Sequence, residues 1–311
     1  GLQTSRAEKK MSFEEAFARY QAIRRRLPAA VFPKAYGTAS GLLEIAERFD
    51  VFVFDAFGVL NIGETPIPGA GECVAALRAL GKHVFVLTNA ASFDLPASIA
   101  KFAKLGFDFS ADEIVTSRQA AEAAVDAMPV SDWAAASVDD VPAVVNGVAF
   151  PVLADDAEIY RGAGGFLLLS SGSWNAQRQA MLEAVLRERP RPLVVANPDL
   201  VAPREEGLSV EPGWYGHQAA DASGIGVEFH GKPFPSVYDI IRARLRKTSR
   251  LPVDERRIAM IGDTLHTDIL GGAAAGWSTV LVSDHGFLAG RDISVFIAET
   301  GIVPDWAVPS I

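Results

Sequence analysis

The sequence predicts a doubly wound, parallel-sheet α/β core split by an inserted α/β cap, and three observations carry that prediction. Short apolar runs at Val51–Phe54, Val84–Leu87 and Ile258–Ile261 stop abruptly at polar residues, as strands buried on both faces of a parallel sheet do. Helical segments lie between such runs in a strand–helix–strand rhythm, the unit of a right-handed crossover. The rhythm breaks near residue 118 and resumes near 229, which leaves room for a second, smaller domain.

In chain order, residues 1–40 read as an N-terminal helical arm, with Phe13, Ala16, Phe17, Tyr20, Ile23 and Leu27 at helical spacing. That stripe docks on the chain's own core or on a second copy, so a homodimer is one expectation. The core is expected over 41–117 and 229–311. Within it, Pro68 and Gly69 open a helix that Gly81 closes. A second helix covers about Leu95–Leu105, and a strand follows at Glu113–Thr116. The cap is expected over 118–228, with strands at Gly165–Leu169 and Leu193–Ala196 and a helix at Asn175–Arg189. Residues 201–228, rich in Gly, Ala and polar groups, read as loop and re-entry segment. The last third brings a helix at Phe234–Lys247, the Ile258–Ile261 strand, a helix at Asp268–Ala275 and a strand at Thr279–Val282.

Composition narrows the function classes. Of 311 residues, 49% are hydrophobic and 22% charged, enough apolar material for a sizeable core. A net charge of −9, with no basic block beyond Arg24–Arg26, disfavours nucleic acid and anionic membranes as partners. No apolar run approaches the ~18 residues of a membrane span. The first residues mix Glu with Arg and lack an apolar signal core, so a cytoplasmic protein is expected. Cys73 is the single cysteine; it excludes an intrachain disulfide and a multi-thiolate zinc site.

In open α/β sheets, ligands bind beyond the carboxyl ends of the strands. There the sequence places Asp55, then Thr88 and Asn89, then Gly262-Asp263-Thr264. Lys232, in Gly231-Lys232-Pro233, precedes the helix that leads to the last of these strands. One strand-end aspartate often only caps a helix. Two carboxylates, a hydroxyl/amide pair and a lysine at one rim make a site.

The order and wording of these segments resemble the haloacid dehalogenase superfamily. Its four motifs are matched by Asp55-Ala56-Phe57-Gly58-Val59-Leu60, Leu87-Thr88-Asn89, Gly231-Lys232-Pro233 and Gly262-Asp263-Thr264-Leu265-His266-Thr267-Asp268-Ile269. The insert is similar to the α/β cap of the NagD-like branch, and Ala196-Asn197-Pro198-Asp199 to a cap-end signature of that branch. The resemblance covers about residues 45–290. It implies a hydrolase in which Asp55 attacks phosphorus and forms an aspartyl-phosphate. It also implies Mg²⁺ on Asp55, Asp263 and the backbone carbonyl of Phe57, with Lys232, Thr88 and Asn89 on the phosphoryl oxygens and Asp268 orienting Lys232 or a metal-bound water. The implied substrate is a small phosphorylated metabolite. A carboxylate meeting a phosphate dianion is repelled by roughly 4 kcal/mol at ~4 Å and an effective dielectric near 20, so cations are required.

The pattern departs from the family at one position. Phosphatases of this kind carry a second aspartate two residues after the nucleophile, where this chain has Phe57. That carboxylate protonates the leaving oxygen, an effect of about 10²–10⁴-fold. Three readings follow: a phosphoryl-transfer enzyme of reduced or altered activity that uses a good leaving group or a cap acid, for which Asp199 is the candidate unless its Asn-Pro-Asp only forms a turn; a catalytically impaired protein that binds a phosphorylated ligand or partner; and a hydrolase like the 2-haloacid dehalogenases, which carry an aromatic residue at this place. Other features are weaker. His217, His230 and His285 lack ligand spacing, and His266 either faces the site or lies on a solvent-facing loop. Ser171-Gly172-Ser173-Trp174 lines the substrate pocket or is a loop with a packed Trp. Gly162–Gly165 lacks the spacing of a dinucleotide fingerprint.

Overall fold

Residues 11–248 and 252–311 are described by a computed structural model; the first ten residues of the arm lie outside them. Seven strands form one all-parallel sheet in the spatial order Gly37–Thr38, Trp306–Val308, Ser278–Val282, Ile258–Gly262, Val51–Phe54, His83–Thr88, Ile114–Thr116. The strand positions follow the apolar runs because alternate residues of each run serve opposite faces. Phe52, Phe54, Val84 and Val86 pack on one side with Cys73, Val74 and Leu77 of the Ala70–Ala79 helix and Phe102 of the Leu95–Lys104 helix. Val51, Val53, Phe85 and Leu87 pack on the other with Val237, Tyr238, Ile241 and Leu245 of the Ser236–Thr248 helix. Helices on both faces make the doubly wound α/β core. The two strands at one edge, Gly37–Thr38 and Trp306–Val308, carry no pattern the sequence made visible.

A second parallel sheet runs Glu228–Phe229, Leu193–Val195, Gly165–Leu168, Trp133–Ala136, with the Ala176–Glu188 helix packed on it through Leu182, Val185 and Leu186. The expected loop at 201–228 is corrected here. Val201–Arg204 and Gly207–Val210 pair as an antiparallel hairpin, and Pro212–Ser223 is a helix. Gly207 turns the hairpin at φ +100°, Pro212 opens the helix and Gly224 ends it at φ +74°. Those turn and cap signals outweigh the segment's poor apolar periodicity. The Asp268–Ala275 helix is also corrected: Leu265–Ile269 forms a π-helical turn and only Leu270–Ala274 is α-helical.

The described part of the arm is the Phe13–Ala22 helix, capped by Ser12. Its stripe is buried: Phe13, Ala16, Phe17, Tyr20 and Ile23 pack with Leu265, Ile269, Phe287 and Ile297 on one side and with Leu200 and Val201 on the other. Arg19 and Arg26 pair with Asp221 on the Pro212–Ser223 helix. One short helix therefore touches both sheets' surroundings. No helix among the described residues is long and apolar enough to cross a membrane. Because Phe17 is fully packed in this cluster, Phe17→Ala is expected to cost about 3 kcal/mol of stability, read by denaturant unfolding; a loss below ~1 kcal/mol would mean the arm is not part of the core.

Candidate active site

Three adjacent parallel strands, Ile258–Gly262, Val51–Phe54 and His83–Thr88, end at one edge, and their next residues are the predicted site residues. The Asp55 amide donates to Ile261 O at 2.9 Å, so the first carboxylate is pinned by the neighbouring strand. Oxygens of Asp55, Asp263 and Asp268 all lie within 4.8 Å of one another. Buried Lys232 stands against them: its Nζ donates to Asp55 Oδ1 at 2.9 Å and to Leu87 O at 2.7 Å, and lies 3.0 Å from Asp268 Oδ1.

Local geometry explains how each acid is held. Asp268 Oδ2 accepts from the Asp263 and Thr264 amides at 3.1 and 3.2 Å, closing the π-helical turn on itself. Asp263 Oδ2 accepts from the Phe287 amide at 2.8 Å, and its Oδ1 from Thr264 Oγ1 at 3.1 Å. Gly286 is required there, since a Cβ would stand 2.0 Å from Asp263 Oδ2. Gly262 is required likewise, a Cβ falling 2.0 Å from the Asp268 carboxyl carbon.

Burial pushes the carboxyls up: Asp55 and Asp263 to about 6 and Asp268 to about 7, with Lys232 opposing the rise in Asp55 and Asp268. Burial lowers Lys232, but Asp268, Asp55 and Asp199 outweigh it and hold the ammonium above its ordinary range. The lysine is therefore charged, and three acids share one cation. An all-oxygen donor set with that surplus of negative charge suits a hard divalent cation.

Thr88 and Asn89 reach the same rim, both buried. Thr88 Oγ1 accepts from the Ala90 amide at 3.1 Å. Asn89 is expected on the phosphoryl oxygens, yet both its amide donors are committed, to Asp199 Oδ1 at 2.9 Å and Lys232 O at 3.0 Å. Its Oδ1 accepts from the Lys232 amide at 2.9 Å. It acts as a bracket for Lys232. Asp199 lines the same pocket as Asp55, and burial drives its carboxyl well above the usual range against the Asn89 hydrogen bond.

The pocket also contains residues that the sequence did not single out: Tyr20, Thr267, Lys101, Arg204 and Glu211. Tyr20 Oη accepts from the Leu200 amide at 3.2 Å. Tyr20 lies in the arm's apolar stripe and Thr267 in the fourth motif, whereas Lys101, Arg204 and Glu211 carry no local signal because a core helix, the hairpin and the residue after it bring them in. Phe57 does line the pocket. Of two weaker expectations, the one for His266 is corrected, and the packed-Trp alternative holds for Ser171–Trp174. His266 is buried, bonded to Gln21 Oε1 at 2.7 Å and stacked on Tyr20 at 4.9 Å; burial lowers it to about 3. Trp174 packs inside the second sheet's core and donates to Gln179 Oε1 at 2.8 Å, away from the pocket. Cys73 is buried, its thiol pushed up to about 11 by burial.

Comparisons with known proteins agree with this geometry. A family model described as haloacid dehalogenase-like hydrolase matches residues 52–138, and one described as HAD-hydrolase-like matches 229–305, together more than half of the chain. Glycerol-3-phosphate phosphatase of Homo sapiens is 29% identical over 84% of this chain and 88% of its own length. A solved structure described as a possible sugar phosphatase of this superfamily, from Cytophaga hutchinsonii, superposes with a TM-score of 0.74 at 27% identity, covering 86% of this chain and 96% of that one. The glycerol phosphate phosphatase of Mycobacterium tuberculosis, solved in complex with magnesium, shares the fold at a TM-score of 0.64 and 23% identity, covering 85% of this chain and 75% of that one.

The acid cluster has a consequence for stability. Free carboxyls titrate near 3.8, whereas these hold protons to about 6–7, so the native state binds more protons between those values. Rising pH therefore removes stability across pH 4–7 unless a cation replaces the protons. The melting temperature is expected to rise with added divalent cation, and by more at pH 8 than at pH 5, in thermal unfolding with and without EDTA. An equal or larger rise at pH 5 would contradict it.

Proposed function

We propose that this chain, which belongs to the haloacid dehalogenase superfamily, is a Mg²⁺-dependent phosphatase of a small phosphorylated metabolite, with Asp55 as nucleophile and Asp199 as acid. The observation that carries the reading is the grouping of Asp55, Asp263 and Asp268 around one buried lysine. The phosphatase relatives support it.

Asp55 Oδ2 attacks phosphorus while Oδ1 stays bound to Lys232 and to the Ala56 amide at 2.8 Å, which fixes the carboxylate plane. The P–O bond to the leaving group breaks and an aspartyl-phosphate forms on Asp55. Asp55 and Asp263 would hold Mg²⁺, with the Phe57 carbonyl; when bound, the ion supplies the positive charge that lets two anions meet. Lys232 adds fixed charge on the phosphoryl oxygens, and Asp268 orients it. Thr88 offers a hydroxyl to the same oxygens.

Phe57 has no proton to give the leaving oxygen. Asp199 does: it is half-buried, lines the same pocket, and keeps its proton above the usual carboxyl range. Activity on alkyl phosphates should then fall as pH rises and Asp199 ionises.

Asp55→Asn is expected to abolish Mg²⁺-dependent phosphate release. Asp199→Asn should lower turnover of alkyl phosphates about 10²–10⁴-fold and that of 4-nitrophenyl phosphate far less, since that leaving group needs little protonation. Equal losses on both substrates would remove Asp199 from the acid role. If the unaltered protein releases no phosphate from 4-nitrophenyl phosphate with Mg²⁺ present, the phosphatase reading fails and ligand binding without turnover takes its place.

A further inference from the structure

Where the family carries an acid, this chain places an aromatic ring between two cations. Lys101 Nζ lies 4.6 Å and the Arg204 guanidinium carbon 5.2 Å from the centre of the Phe57 ring. Lys101 comes from the Leu95–Lys104 helix and Arg204 from the Val201–Arg204 strand of the hairpin, so two distant elements converge on one residue. All three line the pocket that holds Asp55.

We infer that Lys101 and Arg204 form a subsite for a second anionic group of the substrate, beyond the phosphoryl group that Asp55 attacks. The inference rests on the phosphatase reading and deepens it. Phe57 stands two residues after the nucleophile, at the place where an aspartate would touch the leaving oxygen, so the rest of the substrate lies beside its ring. An aspartate there would pair with both cations and cancel them. The phenyl ring holds them through its face and leaves their charge for a ligand.

The surroundings fit. Among the described residues, Lys101 has no carboxylate within ion-pair distance; Glu64 and Glu211 act on it only from farther away, and burial outweighs them and lowers its ammonium. Arg204 donates from Nη2 to Glu211 Oε1 at 3.1 Å and from Nε to Ser209 Oγ at 3.0 Å, which leaves Nη1 available and fixes the guanidinium plane. Glu211 is the carboxylate paired with Arg204, and it has no ion-pair contact with Lys101 among the described residues. In a chain of net charge −9, positive charge gathered at one pocket wall marks where an anion is taken.

The test compares two ligands of similar size, phosphoglycolate and 2-hydroxyethyl phosphate, in which a carboxylate is exchanged for a neutral hydroxymethyl group. Binding is read by calorimetry with Mg²⁺ on the Asp55→Asn protein, which cannot turn them over. Phosphoglycolate is expected to bind at least tenfold tighter, and Lys101→Met or Arg204→Met, added singly, to cut that ratio about five- to tenfold. Equal affinities, including no measurable binding of either ligand, overturn the inference. So does a ratio unmoved by both substitutions, the result expected if the two cations only fasten the hairpin to the helix. Failure of the phosphatase reading shows separately, as absent phosphate release from 4-nitrophenyl phosphate by the unaltered chain.

Discussion

The contact between Lys232 and the carboxylates of Asp55 and Asp268 is the constraint around which the rest is arranged. Three acids within 4.8 Å of one another, two of them buried and Asp55 half-buried, repel strongly, and the Lys232 ammonium touches two of them. Such a cluster survives only if every member is held by further hydrogen bonds. The fold supplies them from the backbone: Ile261 and Ala56 at Asp55, Phe287 at Asp263, and the amides of Asp263 and Thr264 at Asp268. Asn89 holds the lysine's own peptide on both sides. Elements that look unremarkable alone, a π-helical turn and two glycines without room for a Cβ, exist to let these groups approach.

The same physics accounts for the wall opposite. A pocket with surplus negative charge at its floor must gather cations to take an anion, and it does so at two levels. In the proposed function, Lys232 and the metal site serve the phosphoryl end. Lys101 and Arg204, steadied on the Phe57 ring, serve the other end. On the proposed reading, phenylalanine in place of a carboxylate changes two things together: a proton donor is lost and the neighbouring cations are left for a ligand. Asp199, whose proton burial retains, stands where the first change can be offset.

The N-terminal helix links this chemistry to the fold. Its stripe packs against the core, its arginines pair with Asp221, and Tyr20 reaches the backbone of Leu200, next to Asp199. It therefore fixes the segment that carries Asp199 relative to Asp55. His266 and His217 are buried in this junction and held neutral, both lowered to about 3 by burial, so they contribute packing and hydrogen bonds rather than charge.

Sequence by itself determined the central strands of the core, their order along the chain and the residues at their ends. A run such as Val51–Phe54 can only be a strand buried on both faces, and the residue after it must emerge at the sheet's edge, which fixes Asp55, Asp263 and the Thr88–Asn89 pair. Local pattern failed where structure depends on turn chemistry, at 201–228, and where a short edge strand such as Gly37–Thr38 owes its existence to its partner. Tertiary structure alone decided that Asn89 is spent on Lys232 and Asp199, that His266 is buried under Tyr20, and that Lys101 and Arg204 meet across Phe57. Those three facts join residues tens to hundreds of positions apart, and no periodicity of 2 or 3.6 residues carries information over such distances.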